Sequence, residues 1–177
     1  SIMGTVFVDN LEPQSGTSLT LGASGDTISV ASGATLSDEK NYATWQLNGN
    51  QNTDASANIT SMTIKESANI THSSGTFTIT KAGLYHIFFN GTFQATNSTG
   101  GERQVGISIK INGTGINGSR DQVSVLESGN SFGSCSCAVT SDLSVGDTIN
   151  FQVAQSYAGA NIVAYGELTN GTISRIA

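Results

Sequence analysis

Two histidines and two cysteines are the residues of this chain best suited to metal or nucleophilic chemistry. Their spacing decides what they can do. His72 and His86 have no Cys, Asp or Glu at ligand spacing, so nearby sequence builds no metal site. Cys135-Ser136-Cys137 places two thiols on one face of a strand. A disulfide between them would be strained, and the C-x-x-C spacing of redox sites is missing. Two readings stay open: reduced, buried thiols, or pairing between subunits near a threefold axis. Serines are plentiful, but no Gly-x-Ser-x-Gly elbow occurs and neither histidine has an evident acidic orienter. Glycoside cleavage needs two carboxylates facing one cleft, and Asp121 and Glu127 are the pair that could meet. Asp121, Asp142 and Asp147 are candidates for a loop calcium site, although Gly146-Asp147 reads more simply as a turn. The expectation is a protein that is not an enzyme, with no catalytic residues, no metal and no cofactor.

Strands are the elements that would carry these residues. In residues 74–89, Phe77 and Ile79 alternate with Thr76, Thr78 and Thr80, the period of a strand with one dry face. Lys81-Ala82-Gly83 supplies a turn, with Gly83 expected at positive φ. Residues 84–89 then run nearly continuously apolar, which predicts a strand lying between two layers and a hairpin with the strand before it. Ala43, Trp45 and Leu47 alternate as a half-buried first strand ahead of an Asn48-Gly49-Asn50 turn, and Trp45 is expected in the core or a subunit interface. Met62 and Ile64 mark another strand, whereas His72 is expected in a loop. Residues 105–111, 123–126, 135–139, 143–153 and 162–168 add further strands, with Asn112-Gly113 and Asn117-Gly118 as turns. About eight to ten strands and no convincing helix predict an all-β sandwich.

Length and composition narrow the classes. At 177 residues one full domain with a small appendage fits, and two large domains do not. Charged residues make up only 11% of the chain, so its surface is built from hydroxyls, amides and backbone. A net charge of -6 with seven unclustered basic residues argues against nucleic acid as a partner. The sequence shows no secretion signal and no run long and apolar enough for membrane insertion. Seven Asn-x-Ser/Thr sites, such as Asn58-Ile59-Thr60 and Asn90-Gly91-Thr92, read as products of the composition.

Residues 1–38 have a different texture. Thr5, Val6, Phe7 and Val8 form a short strand-like run, followed after Pro13 by a repeat beginning at Ser15-Gly16, Ser24-Gly25 and Ser32-Gly33. Each copy is a Ser-Gly turn with a short alternating strand, a unit that needs neighbours to stack on. Successive copies, or sister copies around a threefold axis, would provide them; an arm lying on its own domain is the plainer alternative.

Two resemblances follow. Phe77, Gly83, Leu84 and Tyr85, in the pattern F-x-I-x-x-x-G-L-Y-x-I, resemble the central hairpin of the complement globular-head domain, a jelly roll shared with tumour necrosis factor. Residues 105–113 look like that family's next strand with its Asn-Gly turn, residues 143–151 like its L-x-x-G-D-x-I strand, and residues 162–168 like its closing strand. The resemblance implies a TNF-like jelly-roll β-sandwich, a homotrimer that binds through exposed loops and does no chemistry, over residues 39–177. The passage from Val8-Asp9-Asn10-Leu11 to Gly33-Ala34-Thr35-Leu36 is similar to the opening of many tailed-phage virion proteins, especially small fibre-like proteins of aquatic phages.

Together they imply a virion structural protein of a bacteriophage: a trimeric tail fibre or spike for host attachment, with a docking arm over residues 1–38. In that reading Thr5, Val6, Phe7 and Val8 contact other virion proteins. The ligand-binding candidates are Asn97, Thr99, Arg103, Asn117, Arg120 and Tyr157, chosen for polarity and expected exposure, and a host surface glycan suits such an uncharged surface. Capsid decoration, with trimers cementing the head shell, is the alternative. A secreted trimeric lectin is weaker, for want of a signal.

Overall fold

The computed structural model describes residues 24, 25, 27, 40–52, 57–95, 102–126, 131–155 and 162–176; for 95, 102, 103, 116–119, 125, 126 and 155 it describes the backbone alone. The chain divides into two units, Ser1–Asp38 and Glu39–Ala177. In the first, Ser24 and Gly25 form a turn with Gly25 at φ +94°, as the Ser-Gly repeat predicts.

Every regular element described in the second unit is a strand: β1 (Tyr42–Leu47), β2 (Gln51–Asn52), β3 (Ala57–Asn58), β4 (Met62–Ala68), β5 (Ile70–Ser73), β6 (Thr76–Ile79), β7 (Gly83–Ala95), β8 (Glu102–Ile111), β9 (Thr114–Leu126), β10 (Phe132–Leu143), β11 (Thr148–Gln155), β12 (Ile162–Ala164) and β13 (Asn170–Arg175). They form two antiparallel sheets. The first runs β2-β12-β7-β13-β1-β4, with β10 on the other edge of β7; the second runs β5-β6-β11-β8-β9, with β3 also on β11.

Alternation fills the space between them. Ala43, Trp45 and Leu47 of β1 and Tyr85, Ile87, Phe89 and Phe93 of β7 meet Val105, Ile107 and Ile109 of β8 and Ile149, Phe151 and Val153 of β11, all buried. At the centre the Phe151 ring lies 4.8 Å from Trp45, 5.1 Å from Phe89 and 5.8 Å from Phe77 between centroids, tilted or edge-on in each case. Trp45 is therefore a core residue. Leu84 and Phe88 are only half-buried and His86 is exposed, so β7 has one dry face, not the two that its apolar run predicts.

Turn chemistry sets the registers. Asn112 and Gly113 take φ of +51° and +77° between the paired residues Ile111 and Thr114, the two-residue hairpin loop that Asn-Gly predicts. Ser74 and Gly75, at +48° and +78°, make the same kind of loop between Ser73 and Thr76. His72 thus stands in a strand rather than a loop, its ring 4.6 Å from Phe77 and its Nε2 accepting the Gly75 N–H at 3.2 Å.

Three expected elements are rearranged. β6 and β7 are not a hairpin: β6 pairs with β5 and β11 in the second sheet while β7 lies in the first, so residues 80–82 carry the chain across the sandwich. The expected strand over 143–153 is broken by a turn after Leu143, held by Asp147, and resumes as β11. The closing strand does not end at 168. β12 and β13 follow one edge of β7, and residues 165–169 step out between them opposite Gly91 and Thr92. Thr169 keeps contact there, its hydroxyl accepting the Thr92 N–H and donating to the Thr92 carbonyl, both at 3.2 Å.

Gly83 does adopt a positive φ, +154°, as the first residue of β7. Gly83→Val is expected to lower stability by more than about 1 kcal/mol, read as a drop in thermal midpoint, because a β-branched residue resists that backbone. An unchanged midpoint would remove the requirement.

Candidate functional site

The described residues include three of the six predicted ligand residues, Arg103, Asn117 and Arg120, and these are not brought to one place. Asn97, Thr99 and Tyr157, and the docking residues Thr5, Val6, Phe7 and Val8, lie outside the described residues. The strand ends flanking 96–101, 127–130 and 156–161 do meet at one end of the sandwich, where Gln94 pairs with Phe132, Glu102 with Leu126, Val105 with Gln155 and Ala95 with Ile162. Arg103 is the second residue of β8, at that end. Asn117 and Arg120 are further down β9, Arg120 roughly 20 Å from Leu126 along the strand. Asn117-Gly118 is not a chain reversal: between the pairs Lys110–Gly115 and Ser108–Arg120, residues 116–119 stand opposite Ile109 alone. The turn-forming residues are accommodated as a bulge. Arg120 is exposed, with Nη2 2.9 Å from where a Gly115 Cβ would sit.

At the same end the outer face of the first sheet carries a feature that polarity alone did not find. Phe132 is 51% exposed and its ring meets Tyr165 edge-on at 5.4 Å. Beside them Thr92 and Ser134 share a hydroxyl–hydroxyl bond of 2.9 Å, and Leu168, also 51% exposed, tips the excursion over 165–169. The Leu168 carbonyl accepts from Asn90 Nδ2 at 2.8 Å and Asn170 Nδ2 at 3.2 Å, which fixes the excursion to β7 and β13. Further along, β7 and β10 present Phe88, Ala138 and His86, the last sharing a 3.2 Å bond with Thr140. Asp142 is the carboxylate on the outward row of β10, six positions beyond Ser136. The signal for Phe132 was available: Cys135, Cys137 and Leu143 point inward, so the even-numbered residues of β10 point outward.

Elsewhere the titratable groups serve the fold. Asp121 Oδ2 accepts the Ser136 N–H at 2.9 Å, tying the edge strand of one sheet to the edge strand of the other. Asp147 accepts from Asn112 Nδ2 and the Ser144 N–H, each at 2.8 Å, and these bonds hold its carboxyl below the usual range. Asp121 and Asp142 flank positions on β10 roughly 20 Å apart, so the three aspartates do not form one calcium site. Glu127 lies outside the described residues.

Cys135 and Cys137 are free and buried on the core side of β10. They face the core rather than a subunit neighbour, which supports the reduced reading. Burial, followed by the Asp121 charge, pushes the Cys135 thiol up to about 12 and the Cys137 thiol up to about 11. At neutral pH both are expected to react with an aromatic disulfide reagent about a hundredfold or more slowly in the native chain than in denaturant. Equal rates would show the thiols to be open.

Four of the Asn-x-Ser/Thr amides are engaged by the fold, Asn69 Nδ2 with Lys40 O, Asn90 and Asn170 with Leu168 O, and Asn112 with Asp147.

No family model matches the sequence, and neither does any curated protein. Solved structures do. Eiger TNF from S. frugiperda superposes with a TM-score of 0.56 at 13% identity, covering 79% of this chain and 94% of that one. Murine APRIL matches in structures at pH 8.5 and pH 5.0, each with a TM-score of 0.50 and coverage of 77% and 99%, at 11% and 13% identity respectively. At these identities the likeness is one of fold: residues 42–175 form the all-β, two-sheet jelly roll seen in these TNF-type structures.

Proposed function

We propose that this chain is a non-enzymatic virion structural protein of a bacteriophage, a homotrimeric fibre or spike whose jelly-roll head binds a glycan on the host surface. The arm over residues 1–38 docks it to other virion proteins. The observation that carries this reading is the polarity of the head. The chain enters the sandwich at Tyr42, paired with Ser174 and Ala68, beside the Arg175–Tyr85 pair at the start of β7. The strand ends flanking Asn97, Thr99 and Tyr157 lie at Gln94 and Ala95, roughly 30 Å further along that strand. The head's first strand thus begins at the end opposite the strand ends that flank Asn97, Thr99 and Tyr157.

TNF-like domains typically trimerise. The outer face of the first sheet suits that role here, with apolar Phe132, Phe88 and Ala138 among hydroxyls and amides and little charge to desolvate. The purified chain is expected to sediment as a trimer, and Phe132→Asp to yield a folded monomer with an unchanged circular dichroism spectrum. A wild-type monomer at high concentration would defeat the trimer. The virion role is tested by copy number relative to the major shell protein in purified particles, by mass spectrometry with labelled peptides. A few trimers per particle supports the fibre or spike. A ratio comparable with the shell protein overturns it in favour of capsid decoration, and absence from particles in favour of a secreted trimeric binder.

A further inference from the structure

We propose that Asn48-Gly49 is a site of spontaneous deamidation and that, of the chain's five Asn-Gly pairs, it reacts in the native protein ahead of those at Asn90, Asn112 and Asn170. The inference is independent of the proposed function. The reaction needs a main-chain nitrogen able to reach its neighbour's carboxamide carbon, and a carboxamide free to turn. Asn-Gly suits it because glycine puts no side chain in the way. The fold then decides which pair is free.

Asn48 and Gly49 are exposed at the turn after β1, with Gly49 at φ +73° and open space where a Cβ would sit. The Asn48 backbone is anchored, its N–H donating to Ser61 O at 2.9 Å and its carbonyl accepting from Ser61 Oγ at 3.1 Å. Its carboxamide and the Gly49 N–H have no hydrogen-bond partner among the described residues. Asn112-Gly113 also lies in a tight turn, but there Nδ2 donates to Asp147 Oδ1 at 2.8 Å and Oδ1 accepts the Thr148 N–H at 2.9 Å. Asn90-Gly91 and Asn170-Gly171 stand within β7 and β13 with both amides on the Leu168 carbonyl. Asn117-Gly118 lies in the β9 bulge opposite Ile109, where no ladder pair holds it, and stands outside this ranking.

In the step itself the Gly49 nitrogen, its proton passing to water or hydroxide, attacks Asn48 Cγ. A bond forms between them to close a succinimide ring, the Cγ–Nδ2 bond breaks, and Nδ2 takes a proton from solvent and leaves as ammonia. Water then adds to one ring carbonyl. Opening at Cγ gives aspartate, and opening at the main-chain carbon gives isoaspartate, whose backbone runs through the former side chain. No electrons are transferred. Either product brings a carboxylate, and the second also adds a methylene at the turn whose Ser61 bonds join β1 to the entry of β4.

The test is peptide mapping by mass spectrometry of the full chain aged at mildly alkaline pH, natively and in concentrated guanidinium. In the native chain Asn48 is expected to convert about tenfold or more faster than Asn90, Asn112 or Asn170, through its freedom to reach the reacting geometry. In guanidinium the five rates should converge. No conversion at Asn48, conversion as fast at Asn90, Asn112 or Asn170, or a preference for Asn48 over these three that persists in guanidinium would each overturn the proposal.

Discussion

Truncating Phe151 to alanine is expected to lower the unfolding free energy by about 3–5 kcal/mol, the range for removing a fully buried aromatic ring. Its ring is completely buried and touches both sheets, with Trp45 and Phe89 opposite and Phe77 beside it in its own sheet. Removing it takes away apolar area and leaves a void that two stiff, hydrogen-bonded sheets cannot collapse to fill. Against a typical total of about 5–15 kcal/mol, the loss is a large share of the fold's stability. Guanidinium titration at fixed chain concentration measures it, and fixing the concentration matters because assembly would add to apparent stability. Phe132→Ala, at an exposed ring, should change the single-chain term by no more than about 0.5 kcal/mol. Similar losses for both would mean that Phe151 is not the bridge between the sheets.

Gly75→Ala and Gly113→Ala make a matched pair, and the first should be far the worse. Their φ angles are +78° and +77°, and each is the second residue of a two-residue hairpin loop, so alanine meets the same backbone resistance at both. Their surroundings differ. A Cβ on Gly113 would meet nothing within 4 Å, whereas one on Gly75 would lie 2.1 Å from the Ile59 carbonyl oxygen and 2.9 Å from Thr60 Cα. Both obstacles are backbone, and the Ile59 N–H is bonded to Phe151 O at 2.8 Å, so that segment is tied down. Gly113→Ala is expected to cost about 1 kcal/mol. Gly75→Ala should cost about 3 kcal/mol or more, since the loop must shift away from the segment leading into β4. Thermal or denaturant unfolding of the two variants side by side gives the difference, and equal midpoints would exclude the close approach of Gly75 to Ile59.

What could be read in advance follows from how local each signal is. Alternation at Ala43, Trp45 and Leu47, the Asn112-Gly113 loop and the shared face of Cys135 and Cys137 depend on neighbours a few residues away, and all three stand as read. Pairing does not depend on such neighbours. Phe77 and Ile79 alternate identically whether their strand turns back on itself or crosses to another sheet, so the passage from β6 to β7 resembled a hairpin. The last strand lies beyond residue 168, where the expected strands end, and carries an Asn170-Gly171 pair of a kind that favours turns. Glycine stands there because the Trp45 indole covers it, with Nε1 2.6 Å from where a Cβ would be. The candidate site was legible only as polar loops. The contact between Phe132 of β10 and Tyr165, just past β12, joins segments far apart in sequence, and β7 must lie between the two strands before the rings can meet.

One bond between the sheets has a mechanical meaning. β9 and β10 are edge strands of different sheets, and among the described residues no backbone ladder links them; the Asp121 carboxylate reaches the Ser136 N–H across the gap. The sandwich therefore has a seam. Opening there breaks side-chain contacts, the Asp121–Ser136 bond among them, and exposes two thiols, whereas opening within a sheet breaks a row of backbone bonds. Solvent deuterium should enter the protein along this line first, and a force that spreads the two sheets would part them from this margin inward, as a book opens away from its spine.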